Sequence, residues 1–205
     1  MGGTRSNVNE EKTWLLQAKN GSDEAFTFIV ETYQTPVYNL CYRMLGHPEE
    51  AEDAAQETFL RAYQNIQRYD LNRSFATWLL SIAAHYCIDL LRKRKLPVFS
   101  VDESEEYTFE IPDAHALHPE SETIRGEKQD HIQTLVGLLD TTDRAAIIMR
   151  YWYDFSEKEI AESLDITVSA VKSRLHRSRK KLGTFWQESS TTSYVERSPH
   201  EAPAF

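Results

Sequence analysis

Lys172, Ser173, His176 and Arg177 recur at the spacing of one helical face, because positions three and four apart stack on the same side of an α-helix. Together they offer two cations, a hydroxyl and an imidazole. These groups hydrogen-bond base edges and phosphates without any covalent step. Val171, Leu175, Ser178 and Leu182 fall on the opposite, mostly apolar side, and Arg174, Arg179 and Lys181 flank that stripe. No acid lies between Ile166 and Gln187. A helix divided in this way suits the major groove of a duplex: outward side chains reach base edges and flanking cations meet phosphates. No nucleophile–base set, glycine-rich phosphate loop or metal-ligand spacing appears in the chain, so neither an enzymatic activity nor a cofactor is expected.

Such a helix needs a support, and the preceding residues supply one. Ser156-Glu157-Lys158-Glu159 reads as a capping box, with the Ser156 hydroxyl on the Glu159 amide and the Glu159 carboxylate reaching back. A short helix follows, with Ile160, Ala161 and Leu164 facing inward. Asp165-Ile166-Thr167 makes the turn, and Thr167 is a good N-cap for the basic helix. Two helices at this spacing predict a helix-turn-helix.

A second surface lies far upstream. In Asp53–Tyr63, the residues Ala55, Phe59, Ala62 and Tyr63, continued by Ile66, form a core face, and Asp53, Gln56, Glu57 and Leu60 cluster on the other. An acidic, amide-bearing patch with an exposed leucine suits a basic protein partner. Between the two surfaces the chain carries aromatic and cationic groups at Tyr69, Arg73, Phe75, Trp78, Tyr86 and Arg92–Lys95, with His85 and Asp89 on the same helix. Single-stranded nucleic acid binds to platforms of this kind, and a base read outside the stack needs a pocket. Trp78 also reads as a core tryptophan, and Tyr86 divides evenly between core and surface.

The composition fits these elements. Of the 205 residues, 40% are hydrophobic, while Gly and Pro number only 7 each, so an all-α protein is expected. Residues 14–95 read as consecutive amphipathic helices broken at Gly46-His47-Pro48, with stripes at Phe26, Ile29, Val30 and Tyr33 and at Val37, Leu40, Cys41, Met44 and Leu45. Residues 96–124 are acidic, contain no Lys or Arg, and are punctuated by Pro97, Pro112 and Pro119. They read as a flexible tether extended by self-repulsion, or as a mimic of nucleic acid in a positive channel. Residues 125–186 are helical again, and the polar tail 187–205 is expected to be disordered.

The net charge of −9 argues against nucleic acid until its distribution is considered. Positive charge collects at Arg92–Lys95 and Lys172–Lys181, and negative charge at Glu49–Glu57 and across 102–122. Cys41 and Cys87 lie inside apolar helical patterns and read as buried free thiols of a reducing cytoplasm. Met1–Lys12 has no apolar core and does not read as a signal peptide. Phe75–Leu91 is short for a membrane span and is interrupted by Ser81, His85 and Asp89, so no membrane insertion is expected.

Three stretches carry a family resemblance. AEDAAQETFLRAY at Ala51–Tyr63 resembles the region 2 signature of the sigma-70 family. FATWLLSIAAHYCIDLLRKR at Phe75–Arg94 resembles its promoter-melting, −10-reading helix. FSEKEIAESLDITVSAVKSRLHRSRKKL at Phe155–Leu182 is similar to region 4. With only regions 2 and 4, the chain resembles the extracytoplasmic-function group. The resemblance implies two small helical domains, region 2 over 14–95 and region 4 over 125–186, joined by the acidic linker. It implies core RNA polymerase (the β′ clamp helices and the β subunit) and promoter DNA as partners, and an anti-sigma factor as a further one. Asp53, Gln56, Glu57 and Phe59 match the clamp-docking motif, with Leu60 beside them. Lys172, Ser173, His176 and Arg177 match the −35 readers, with Arg174 and Arg179 alongside. Tyr69, Arg73, Phe75, Trp78, His85, Asp89 and Arg92 are the −10 candidates. His85 stands where the family usually has Asn, and Leu139–Asp143 departs from the usual Leu-Pro junction. A response-regulator or LuxR-type DNA-binding protein would share the helix-turn-helix, but would not need the Asp53–Tyr63 patch.

Overall fold

The computed structural model describes residues 3–95 and 131–196, and over these the chain is helical. The elements are α1 (Gly3–Lys19), α2 (Asp23–Leu45), α3 (Pro48–Asn65), a 3₁₀ turn (Ile66–Arg68) and α4 (Phe75–Lys95). After the linker come α5 (131–137), α6 (Thr141–Trp152), α7 (Glu157–Ser163) and α8 (Val168–Glu196). The linker itself lies outside the described residues. Helix α8 continues to Glu196, so the tail expected to be disordered from residue 187 begins as helix.

Local chemistry sets the helix ends. Ser22 caps α2 by accepting the Ala25 amide at 3.2 Å. Gly46 closes it with φ of +85°, a left-handed conformation that glycine adopts without strain, and its N–H donates to the Tyr42 carbonyl. Pro48 opens α3, where its missing N–H costs nothing. Asp140 caps α6 through the Thr142 amide, so the acid at the unusual Leu139–Asp143 junction starts the helix.

The N-terminal unit is a bundle in which α2 packs on α1, α3 and α4. Its core includes Ile29, Val37, Leu40, Cys41, Met44, Leu79, Leu80, Ala83 and Cys87. The inward face of α3 includes Ala55 and Ala62, with Ile66 buried just beyond and Phe59 packed against the core as expected, and it extends to Ala51, Ala54 and Thr58. Thr58 is tolerated there because its hydroxyl donates to the Ala54 carbonyl at 2.7 Å. Tyr63, placed in the core by the sequence pattern, is 47% exposed. Its ring rests edge-on against Phe26 and its hydroxyl donates to Asp23 at 2.7 Å, a bond that holds the phenol's pKa up. Small side chains let α3 approach α2 closely, which displaces the larger Tyr63 to the rim.

The two helical units do not stand apart. Helix α6 packs on α7 and α8 on one side and on α2 and α4 on the other. Every residue from Thr141 to Met149 is buried. Both expected helical units are present, and among the described residues they share one continuous core.

Candidate nucleic-acid interface

The helix-turn-helix forms as its local chemistry predicts. Ser156 Oγ accepts the Glu159 amide at 3.2 Å, and Glu159 Oε2 accepts the Ser156 amide at 2.8 Å. The Ser156 hydroxyl and amide together hold the Glu159 carboxyl below its usual range. Asp165 takes a positive φ of 51° in the turn, and the Ile166 amide donates back to Ala161 at 3.0 Å. Thr167 caps α8 through the Ala170 amide at 3.1 Å. Val171, Leu175 and Ser178 are buried against α6 and α7, which turns Lys172, Ser173, His176, Arg177 and Arg179 to solvent. Lys172 has a loose ion pair with Glu157 at 3.6 Å, both groups well exposed, which a phosphate can replace.

Arg174 is different. Its guanidinium meets the Asp143 carboxylate at 2.5 Å, and the Asp143 side chain is only 8% exposed. It ties α8 to α6, while the Arg174 side chain remains 29% exposed beside the recognition face.

On the other unit, α3, α4 and the turn between them enclose an open cleft of about 660 Å³. Arg61, Gln64, Asn65 and Arg68 line one wall, and Trp78, Ser81, Ile82 and His85 the other. Cations, amides and one indole face make the mixture that a splayed base and its phosphates require. His85 Nδ1 lies 2.9 Å from the Ser81 carbonyl. A carbonyl only accepts, so Nδ1 carries the hydrogen and Nε2 is an acceptor in the neutral ring. Sequence reasoning missed Arg61, Gln64 and Asn65, while Arg68 opens the loop Arg68–Ser74 that the sequence offers for the −10 element. Gln64 and Asn65 sit at the end of α3, where helical periodicity carries no signal.

Comparison with known proteins follows this geometry. The family description Sigma-70 region 2 matches residues 29–96. Sigma-70, region 4 matches residues 129–182. The ECF RNA polymerase sigma factor SigW of Bacillus subtilis is 40% identical over 83% of this chain and 94% of its own length. SigX of the same organism is 30% identical over 78% of this chain and 82% of its own. The chain belongs to the sigma-70 family, in its extracytoplasmic-function group. Among solved structures, CnrH in complex with the cytosolic domain of CnrY gives a TM-score of 0.64 at 21% identity, covering 87% of this chain and 98% of that one. The sigma factor RpoE of Bartonella quintana, in complex with the anti-sigma factor NepR, gives 0.57 at 16% identity, covering 79% and 96%. At these identities the two structures bear on the fold.

Within sigma region 2, several −10 candidates are placed otherwise than expected. Tyr69 and Phe75 are each 2% exposed, and with Trp78 they form a ring cluster of 5.0–5.5 Å centroid separations. The Tyr69 hydroxyl donates to the Arg73 carbonyl, and burial beside Glu11 and Asp70 pushes its pKa up to about 12. These two rings brace the turn and the base of Trp78, and they present no open face for a base to stack on. Trp78 itself is half-buried and forms a wall of the cleft, so it serves both core and surface. Tyr86 is half-buried beneath the Arg61 guanidinium, 4.6 Å from its ring centroid. His85, Asp89, Arg73 and Arg92 are exposed. Arg73 has a loose pair with Asp70, and Arg92 reaches Thr142 of region 4 at 3.4 Å.

On the outer face of α3, Asp53 and Gln56 are exposed, and Leu60 is 52% exposed. Phe59 is half-buried against the core, in the supporting position its helical phase predicts. Glu57 departs from the patch: its carboxylate accepts from Arg61 Nε at 2.7 Å and faces the cleft. No helix among the described residues is long and apolar enough to cross a membrane.

Proposed function

We propose that this chain binds core RNA polymerase and directs it to promoters in the cytoplasm, reading two separated elements while the polymerase supplies the chemistry. Asp53, Gln56 and Leu60 on α3 form the contact to the basic polymerase surface, with Phe59 behind them and Glu57 shared with the cleft. Lys172, Ser173, His176 and Arg177 read the −35 duplex, and Arg179 holds phosphate. The cleft of Arg61, Gln64, Asn65, Arg68, Trp78 and His85 takes the exposed −10 strand, with Asp89 and Arg92 further along α4. The observation that carries this reading is a solvent-facing, acid-free recognition face on a capped helix-turn-helix, on one chain with an acidic α3 patch. A LuxR-type regulator has no use for that patch. Region 2 is assigned to residues 14–95, region 4 to 125–186 and the linker to 96–124.

The test is transcription in vitro with core polymerase on the promoter upstream of this chain's own gene. A promoter-specific transcript that depends on the chain is expected. Asp53→Lys combined with Gln56→Lys should abolish both the transcript and capture of core polymerase while leaving binding to a −35 duplex intact. Unchanged capture of core polymerase by this variant would remove the assignment of α3.

A further inference from the structure

His85 stands where the family usually has Asn, and the structure gives this departure a chemical meaning. The two side chains differ in what they offer a base. An amide carries a carbonyl that accepts and an NH₂ that donates, and rotation about its last bond presents either one. A neutral imidazole has one nitrogen of each kind, and engaging one elsewhere leaves only the other.

In this chain the ring is engaged. His85 Nδ1 lies 2.9 Å from the carbonyl of Ser81, one turn back on α4. That oxygen cannot donate, so the hydrogen sits on Nδ1. The Ser81 hydroxyl does not compete for the ring, because it donates to the Trp78 carbonyl at 2.7 Å. Nε2 lies on the edge of the ring away from that carbonyl and makes no hydrogen bond or ion pair among the described residues. His85 is exposed, and with Trp78, Ser81 and Ile82 it forms the α4 wall of the cleft. A single acceptor therefore stands at the cleft surface, its direction fixed by the backbone behind it.

The facing wall is led by donors. Arg61 is held twice: its Nε donates to the Glu57 carboxylate at 2.7 Å, and its guanidinium lies over the Tyr86 ring, 4.6 Å from the centroid. Its remaining N–H groups, and those of Arg68, only donate. The Asn65 amide donates to the Arg61 carbonyl at 2.9 Å, which sets that side chain as well. Groups oriented before a strand arrives lose little freedom when it binds.

Unpaired bases differ in what they bring to such an acceptor. Cytosine and adenine present an exocyclic amine, whereas thymine and guanine present a keto oxygen in its place. An amine donates to Nε2, and the ring nitrogen beside it accepts from the opposite wall. A keto oxygen sets lone pair against lone pair and leaves both acceptors unsatisfied.

We propose that His85 is a specificity-determining residue of the cleft: Nε2 accepts from the exocyclic amine of a splayed base, and so selects cytosine or adenine against thymine or guanine at one −10 position. The inference rests on the −10 reading of the cleft above, and the experiment separates the two. The full-length chain is bound to core polymerase and given forked promoter DNA, with the −35 element in duplex and the −10 element as a single strand. Forks are made for each of the two strands, and each −10 base is varied in turn. With one of the strands, wild type should bind cytosine or adenine at one position about tenfold more tightly than thymine or guanine. His85→Asn should shrink that ratio to about twofold, because an amide meets amine and keto bases alike. Base preference at the −35 element and capture of core polymerase should not change with it. The favoured base is then replaced by its counterpart without the amine, deoxyzebularine for cytosine or deoxynebularine for adenine. Wild type should lose about tenfold in affinity, and His85→Ala less than about twofold.

The inference is wrong if no −10 position favours the amino bases, or if His85→Asn keeps the wild-type ratio. It is equally wrong if removing the amine costs wild type and His85→Ala the same. A uniform loss across all four bases in His85→Asn would place His85 on the strand's backbone and overturn it too. In each of these cases promoter-specific transcription by wild type leaves the wider sigma reading standing. Without such transcription, both fall.

Discussion

Arg174, Arg177 and Arg179 lie within six positions on one helix, and their surroundings give them three tasks. Arg177 faces solvent on the recognition side. An arginine–guanine contact discriminates by about 1–3 kcal/mol. Arg177→Ala should therefore lower transcription and flatten base preference at one or two −35 positions in a promoter library. Arg179→Ala should weaken binding evenly across sequences and reduce the salt slope by about one unit. A uniform decrease for Arg177→Ala would reassign it to phosphate. Arg174→Ala should act on stability: it leaves the Asp143 carboxylate buried without its cation, at a cost of about 2–4 kcal/mol. Urea denaturation would register that loss, and Arg174→Lys should recover part of it.

At the level of the element, the helix-turn-helix depends on short caps. Helix α7 has seven residues, too few to hold without external support. Its capping box satisfies amides that would otherwise be orphaned. Ser156→Ala should cost about 1 kcal/mol at neutral pH. Because the folded-state pKa of Glu159 is depressed, its contribution is fully present above the unfolded value near 4.3 and is lost as pH falls through the folded one. The difference between wild type and Ser156→Ala should thus shrink below about pH 4 in urea melts. A constant difference down to pH 3 would mean that the Glu159 carboxylate plays no part. Helix α6 shows the opposite dependence, since its environment comes almost wholly from neighbours. Ile148→Ala should cost about 2–5 kcal/mol, in the range for a fully buried aliphatic side chain.

For the molecule as a whole, charge is segregated and the net value of −9 opposes DNA. The acidic linker repels the phosphates that α8 attracts. The free chain should accordingly bind duplex promoter weakly at physiological salt, and its complex with polymerase tightly. Filter binding or anisotropy with both species would show it, and tight specific binding by the free chain would count against this account.

The capping box, the turn and the outward set Lys172, Ser173, His176 and Arg177 were legible in the sequence. Caps and helical phase are local properties, decided by residues three or four positions apart. The two surfaces on α3 and α8 were legible for the same reason. What the sequence left open was decided by packing between distant segments. Tyr69 and Phe75 have the composition of stacking platforms, yet they close the core beneath Trp78. Arg174 has the composition of a DNA contact, and its ion pair with Asp143, far off in the chain, appears only in the fold. Gln133, Arg144 and Tyr153 carry no pattern that announces an interface, because their partners are the backbone carbonyls of α2, which every sequence possesses. Backbone acceptors are invisible to side-chain periodicity. The union of the two units therefore emerges only when the chain is folded.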